Sequence, residues 1–176
     1  KIPPHNVREV VSAAVALIDR PEIDSLELME EYVPGPDFPT GGFIYGKAGI
    51  RDAYSTGRGR VIMRAKTHIE DMPNDREMIV VDELPYQVNK SRLLQQIAGL
   101  VREKKIEGIS GLRDESDRKG MRVVVELKRD AFSEIVLNKL FKHTDLQSTF
   151  GVILLAIVNK QPKVLTLKEM LVHFIA

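Results

Sequence analysis

The chain has 176 residues, a formal net charge of +1, no cysteine and 43% hydrophobic residues. This length and apolar fraction support one sizeable core, and no apolar run approaches the ~20 residues that span a membrane. The lack of cysteine excludes disulfides, thiol catalysis and thiolate metal sites. Because the chain begins at Lys1 without methionine or a signal-peptide pattern, we expect a piece of a longer protein.

The N-terminal segment Lys1–Asn6 (KIPPHN) is predicted to be rigid and extended, because its two prolines restrict their own backbone and that of the preceding residues. Asn6 can cap a helix, with Glu9 three residues later where a capping box has its acid. Apolar residues then follow helical spacing as far as Pro21. A second short helix is predicted after Asp24.

The next stretch, residues 33–42 (VPGPDFPTGG), excludes regular structure because it holds three prolines and three glycines. It lacks the Gly-Lys-Ser/Thr ending of a phosphate-binding loop, so a stiff connection is favoured. Residues 43–45 predict a short strand, and residues 47–55 predict a short helix that ends at Gly57.

Residues 53–66 (AYSTGRGRVIMRAK) form a basic stretch without any acid. Strand alternation predicts that Val61 and Met63 face a core while the cations face the other way. A row of positive charge is the geometry needed to lie along a phosphate backbone. A solvated edge face is the alternative that the residues alone leave open. The cations of this stretch are Arg58, Arg60, Arg64 and Lys66.

Residues 76–83 predict a strand that forms a hairpin with the basic strand through a turn at 71–75. Asn89 can cap the helix that follows, whose first turn carries Lys90 and Arg92. This helix places a second group of cations near a helix start.

The densest acid cluster lies within residues 109–120 and comprises Asp114, Glu115 and Asp117. Carboxylates at such spacing can bind Mg²⁺ or Ca²⁺. Because basic residues alternate with these acids and the EF-hand spacing is absent, we favour ion pairing and turn formation over a metal site.

The last third of the chain predicts four regular elements. Residues 121–128 alternate as a half-buried strand, and residues 132–143 follow helical spacing. The nearly continuous apolar run 150–158 (FGVILLAIV) predicts a central strand that is covered on both faces. Thr166 with Glu169 predicts a capping box for a final helix.

Strands and helices mix without regular βαβ alternation, so the fold class is predicted to be α+β, a mixed, mainly antiparallel sheet with helices packed on it. No histidine pair has metal-ligand spacing, and no serine lies in G-x-S-x-G. Nothing nearby activates a tyrosine, so each is expected to pack in a core. From the residues alone, the chain has a basic strand face and no convincing active site. The four tyrosines are Tyr32, Tyr45, Tyr54 and Tyr86.

Six stretches, taken together and in order, resemble the A-subunit family of bacterial DNA gyrase, and the related topoisomerase IV A subunit shares most of them. The ending FGV…QPKVLTLKEML is more similar to gyrase, although Ile153-Leu154 stands where an Asn-Met pair is expected. The stretches are IPPHN (2–6), PGPDFPTGG (34–42), AYSTGRGRV (53–61), ELPYQVNKSRL (83–93), EGISGLRDESDRKGMR (107–122) and LFKHTDLQSTFGV (140–152).

The resemblance implies a position within a larger protein. Residues 1–20 would be the linker and helix after the winged-helix DNA-gate domain, 21–163 the tower domain, and 164–176 the start of the helix toward the coiled-coil neck. The catalytic tyrosine would lie upstream, so the fragment alone is expected to be inactive, with no catalytic residue, cofactor or metal of its own. Mg²⁺ and ATP would bind the B subunit of a cytoplasmic, nucleoid-associated A2B2 heterotetramer.

The resemblance also implies DNA handling by a type IIA topoisomerase, an isomerase that cleaves, passes and reseals duplex DNA to change supercoiling. Ile2 matches an isoleucine that inserts between base pairs and helps to bend the duplex. Decatenation by topoisomerase IV, an RNA-binding α+β module and a purely structural module are the alternatives. The expected contacts to the DNA backbone are Lys1, His5, Asn6, Arg58, Arg60, Arg64, Lys66, Lys90 and Arg92.

Overall fold

The computed structural model describes residues 1–176 and divides the chain into two compact units. Unit 1 comprises Lys1–Pro39, Ile44–Ile62 and Thr149–Ala176, and unit 2 comprises Thr40–Phe43 and Met63–Ser148. No helix has the length and apolar character needed to cross a membrane. The helices are α1 (Val7–Asp19), α2 (Ser25–Glu31), α3 (Ala48–Thr56), α4 (Lys90–Arg102), α5 (Ser133–His143) and α6 (Leu167–Ile175).

The strands form three sheets, ordered β1-β2-β7, β3-β4-β6-β5 and β8-β9. Every neighbouring pair in the four-stranded sheet is antiparallel, as is the β8-β9 pair. The predicted α+β class with mainly antiparallel strands is confirmed, although three sheets replace the single expected one. The strands are β1 (Phe43–Ile44), β2 (Arg58–Arg64), β3 (Lys66–Met72), β4 (Arg76–Glu83), β5 (Ile109–Asp114), β6 (Val123–Leu127), β7 (Gln147–Ile153), β8 (Leu155–Val158) and β9 (Gln161–Val164).

Unit 2 is built on the four-stranded sheet, whose alternate residues pack against α4 and α5. Because side chains alternate across a strand, Ile79 and Val81 of β4 point to the same face and join the core cluster. α4 contributes Leu93 and Ile97, and α5 contributes Leu140. All five side chains are fully buried, and each such burial contributes roughly 1.5–3 kcal/mol.

Unit 1 packs its helices through small and aliphatic side chains. α1 buries Ala13 and Leu17, α2 buries Leu28, α3 buries Tyr54, and α6 buries Leu171. Four branched apolar residues of α1 remain outside this core, because alanines and Leu17 form the buried side of the helix. The exposed apolar residues of α1 are Val7, Val11, Val15 and Ile18.

The predicted helix caps are confirmed. The side chains of Asn6, Asp24 and Asn89 each accept a hydrogen bond from the backbone N–H three residues later. Thr166 and Glu169 form the reciprocal capping box at the start of α6. Caps are local interactions, which is why the sequence pattern was sufficient to locate them.

The strand predicted from the basic stretch is interrupted. It ends at Arg64, and a new strand, β3, begins at Lys66 in the other sheet. Between them the buried Ala65 donates its N–H to the Leu146 carbonyl (2.9 Å), and a register shift follows at Thr67. The chain therefore changes pairing partner at Ala65, while β3 and β4 form the predicted hairpin.

One strand was not predicted, and one strand prediction was wrong. Residues 109–120 contain the edge strand β5 (Ile109–Asp114) in addition to the expected turn. The sequence pattern of β5 is weak for two reasons. An edge strand needs only one apolar face, and the register shift between Ile109 and Gly111 breaks the alternation of apolar and polar residues. The run 150–158 is not a central strand: it breaks at Leu154, and β8 leaves Ile157 78% exposed.

Candidate nucleic-acid interface

The N-terminal segment is held in unit 1 by backbone hydrogen bonds on both sides of Ile2. The Lys1 carbonyl accepts from the Ile153 N–H at 3.0 Å, and the Pro4 carbonyl accepts from the Asp37 N–H at 2.9 Å. The side chain of Ile2 is nevertheless 49% exposed. An apolar side chain therefore projects from a fixed and proline-stiffened backbone, as an intercalating wedge requires.

His5 uses both of its ring nitrogens within unit 1. The Pro3 carbonyl can only accept, so His5 Nδ1 donates to it at 2.8 Å, and Nε2 accepts from the Tyr54 hydroxyl at 2.6 Å. Burial lowers the pKa of the His5 imidazole below its usual range, so the ring is neutral near pH 7. In this conformation His5 orients the N-terminal segment and has no N–H left for a phosphate.

Tyr54, on α3, is 1% exposed, and burial raises the pKa of its hydroxyl well above the usual range. Its hydroxyl donates to His5. The predicted core role is confirmed for Tyr54, but it is wrong for Tyr45, which is 56% exposed.

Asn6 is also committed to local structure. Its Oδ1 accepts from the Glu9 N–H at 3.2 Å as the cap of α1, and its Nδ2 donates to the Asp37 carboxylate at 3.2 Å. Lys1, by contrast, has an exposed side chain and no ion pair. Of the polar residues predicted here to contact the DNA backbone, Lys1 has the most accessible charge.

Glycines set the position of β2 in unit 1. A methyl group on Gly49 of α3 would overlap the carbonyl group of Arg60. The methyl carbon would lie only 2.6 Å from the carbonyl carbon of Arg60. A methyl group on Gly59 would lie 2.7 Å from the Ala53 nitrogen. Helix α3 and strand β2 can therefore approach backbone to backbone, which holds the flanking arginines on a rigid support.

Arg58 and Arg60 are the exposed cations of β2 in unit 1. Val61, between Arg60 and Ile62, is 1% exposed, so alternation places Arg60 on the opposite, solvent side of the strand. Neither arginine has an ion pair, and the basic stretch contains no carboxylate. Their charge is therefore available to a polyanion.

Arg64 and Lys66 belong to unit 2 and differ in availability. The Arg64 Nε donates to Gln147 at 2.7 Å, and its guanidinium carbon lies 4.6 Å from the centre of the Phe141 ring. This stacking and hydrogen bonding hold a half-buried guanidinium in one orientation. Lys66 is exposed and without an ion pair.

At the start of α4, Lys90 forms an ion pair and Arg92 does not. Lys90 Nζ lies 2.9 Å from the Asp114 carboxylate. The hydrogen bonds from Ser116 and then from Lys90 hold the pKa of Asp114 at about 2. Arg92 is exposed and has no ion pair, so it is the more accessible cation of the two.

The acidic cluster pairs with neighbouring arginines, as predicted. Glu115 accepts from Arg113 at 3.1 Å and from Arg122 at 3.0 Å. Asp114 and Asp117 each accept a backbone N–H two residues later and so shape the turn. No group of histidines and carboxylates in residues 1–176 is arranged to hold a metal ion.

One interaction network was not predicted from the sequence. Arg122 binds both oxygens of Glu70, at 2.9 and 3.0 Å, and Glu70 also contacts His68 at 2.6 Å. His68 reaches Asp82 as well, at 2.6 Å. Arg122 lies just before β6 and 52 positions from Glu70 on β3. Because this contact joins distant parts of the chain, no local pattern could have indicated the network.

The fold and these surfaces define an α+β module that presents unpaired cations on rigid elements, which is the character of a polyanion-binding protein. Comparison with known proteins specifies the family. The model of the family that comprises the A subunits of DNA gyrase and topoisomerase IV matches residues 1–176. The chain belongs to this family.

The similar curated proteins are much longer than this chain. The chain is 57% identical to the A subunit of DNA gyrase from Clostridium acetobutylicum, over 99% of the chain and 21% of that protein. Identity is 59% with the Helicobacter pylori protein of the same name and 60% with the Campylobacter fetus one, at similar coverage. The chain thus spans about a fifth of the length of these relatives.

Proposed function

We propose that this chain is a DNA-binding and DNA-bending segment of the A subunit of a type IIA topoisomerase. The observation that carries the proposal is the pair of exposed, unpaired arginines, Arg58 and Arg60, on a strand fixed to α3, in a chain of the gyrase A family. Arginines in this setting contact phosphates without reading the base sequence. Binding is therefore tolerant of sequence and sensitive to salt.

The complete enzyme would cleave duplex DNA, pass a second duplex through the break and reseal it, at the expense of ATP. In this proposal the chain supplies no catalytic group, and the catalytic tyrosine belongs to another part of the full-length protein. Mg²⁺ and ATP would be held by the B subunit, and a second copy of the A subunit would complete an A2B2 assembly in the bacterial cytoplasm, at the nucleoid. Residues 21–163 would form the tower domain.

Supercoiling is favoured over decatenation because the relatives named above are DNA gyrase subunits.

Ile2 would act as the wedge. Unstacking a base step costs roughly a few kcal/mol, which is offset by the contacts that a bent duplex makes with additional protein surface. The fixed backbone on both sides of Ile2 supports this role, because little conformational entropy remains to be lost on insertion. The cations of each unit would then bind phosphates beyond the bend, with Lys1, Arg58 and Arg60 in unit 1 and Lys66 and Arg92 in unit 2.

The test is the affinity of the chain for a duplex of mixed sequence, measured by fluorescence anisotropy across a range of salt concentrations. We expect the logarithm of affinity to fall linearly with the logarithm of salt concentration, with a slope of about −0.9 for each phosphate contact. A single-stranded RNA of the same length is the comparison. A flat salt dependence would favour a structural module, and tighter binding of the RNA would favour an RNA-binding one.

A further inference from the structure

A groove of about 750 Å³ lies within unit 2. It is bounded by the C-terminal end of α4, the connection into β5, and the connection from β6 into the first turns of α5. This volume lies within the range of roughly 300–1,000 Å³ that is usual for ligand sites. None of its lining residues has a place in the proposed function.

The walls of the groove are apolar. Phe132 and Ile135, at the start of α5, are 72% and 54% exposed, and the buried Ile106, Ile109 and Val136 complete the lining. Leaving an aromatic and a branched aliphatic side chain side by side in water is unfavourable, and such patches mark interaction sites.

The rim of the groove is mainly cationic. Lys104, Lys128 and Lys139 are exposed and have no ion pair. A fourth cation, Arg129, is 3.9 Å from Asp75, which is a weak contact between two exposed groups. The rim has only two acids, Glu107 and Asp130, so its potential is positive.

We propose that this groove binds an acidic segment of a partner protein, with one or two apolar side chains inserted against Phe132 and Ile135 and carboxylates paired with the rim lysines. The lining is aliphatic except for one ring, which suits leucine-like anchors better than stacked bases. The two rim acids would repel a continuous phosphate backbone, whereas a protein segment can place a cation or a neutral group opposite them.

The experiment uses the full-length protein together with a fluorescein-labelled amphipathic helical peptide, with Leu and Phe on one face and Glu at the remaining positions. The same peptide with Lys in place of Glu is the charge control. The variants are Ile135→Glu and, for the rim, Lys139→Glu. Ile157→Glu, at an exposed apolar position in unit 1 that does not line the groove, is the control variant.

We expect saturable binding of the acidic peptide, at least tenfold weaker in the Ile135 and Lys139 variants and unchanged in the Ile157 variant. The basic peptide should not bind the groove. The proposal is overturned if the acidic peptide does not saturate, if the Ile157 variant weakens it equally, or if the basic peptide binds as well. Complete displacement of the peptide by single-stranded DNA, with a DNA affinity that Ile135→Glu also lowers, would instead identify a nucleic-acid site.

Discussion

The close packing of α3 against β2, which supports Arg58 and Arg60, can be tested by Gly49→Ala. Helix propensity alone predicts a gain of about 1 kcal/mol, since alanine is a better helix former than glycine. The structure predicts the opposite sign. The added carbon would lie 2.6 Å from the Arg60 carbonyl carbon and 3.2 Å from the Val61 nitrogen, whereas ordinary contacts begin at 3.4 Å.

Because both obstacles are backbone atoms, no side-chain rotation relieves the overlap. Helix α3 would have to move away from β2 by at least about 0.8 Å to clear the carbonyl carbon, and further to clear the carbonyl oxygen, which is closer. This movement would disturb the packing of Tyr54. Overpacking of this kind costs about 1–3 kcal/mol or more. For a chain of this length we expect the melting temperature to fall by roughly 2–12 °C.

The assay is thermal and urea unfolding followed by circular dichroism. Gly151→Ala in β7 is the matched control, because nothing lies within 4 Å of the added carbon and no positive φ strains the residue. We expect the control to be neutral or slightly stabilising. If Gly49→Ala is as stable as the parent chain, the backbone contact between α3 and β2 does not exist as described.

Three further predictions concern unit 1 and the ion-pair network. Hydrogen bonds to Asp82, and to a lesser extent to Glu70, raise the pKa of His68 in the folded protein. The charged imidazole therefore stabilises the fold fully below the pKa of about 6.5 that His68 has in the unfolded chain. This stabilisation disappears as the pH rises through the pKa of His68 in the folded protein. Urea unfolding should therefore show His68→Gln to be less stable than the parent chain at pH 5.5 and equal to it at pH 9; an equal loss at both would contradict this. Tyr54→Phe should cost about 1 kcal/mol of unfolding free energy by removing the donor to His5, and a neutral effect would show that this bond contributes nothing. In the full-length protein, Ile2→Ala should reduce DNA bending, measured by fluorescence resonance energy transfer, and DNA cleavage while the melting temperature stays the same; unchanged bending would exclude the wedge.

Features that depend on neighbours in sequence were predictable. The caps at Asn6, Asp24 and Thr166 need only a polar side chain three residues before an N–H. The β3–β4 hairpin followed from two strand patterns with a turn between them. The motif stretches were sufficient to indicate the family, which the family model then showed.

Features that depend on distant residues were not predictable from one sequence. The strand break at Ala65 depends on a carbonyl at Leu146, and the engagement of Arg64 depends on Phe141 and Gln147. Strand parity correctly placed the buried residues of β2, but charge alone could not distinguish an arginine held by an aromatic ring from one that is free. The exposed side of α1 could not be predicted either, because helical spacing does not show which apolar side of a helix packs against the core.

These contacts alter the ranking of the candidate DNA-binding residues. His5 and Asn6 are occupied by hydrogen bonds within unit 1, and Lys90 is paired with Asp114. Among the cations of the basic stretch, Arg58 and Arg60 combine exposure, lack of an ion pair and a rigid support. We therefore expect these two arginines to contribute most of the phosphate binding in unit 1.

The assignment of DNA binding to Arg58 and Arg60 is tested most directly by the salt dependence of duplex binding by the Arg58→Glu/Arg60→Glu variant of the full-length protein. Arg118→Glu/Lys119→Glu, a pair of cations that are also exposed and lie in a turn of unit 2, is the matched control. We expect weaker binding and a salt slope reduced in magnitude by about 1.8, which corresponds to two lost phosphate contacts. An unchanged slope and affinity in the Arg58/Arg60 variant, or an equal loss in the control, would contradict the assignment of DNA binding to the basic strand.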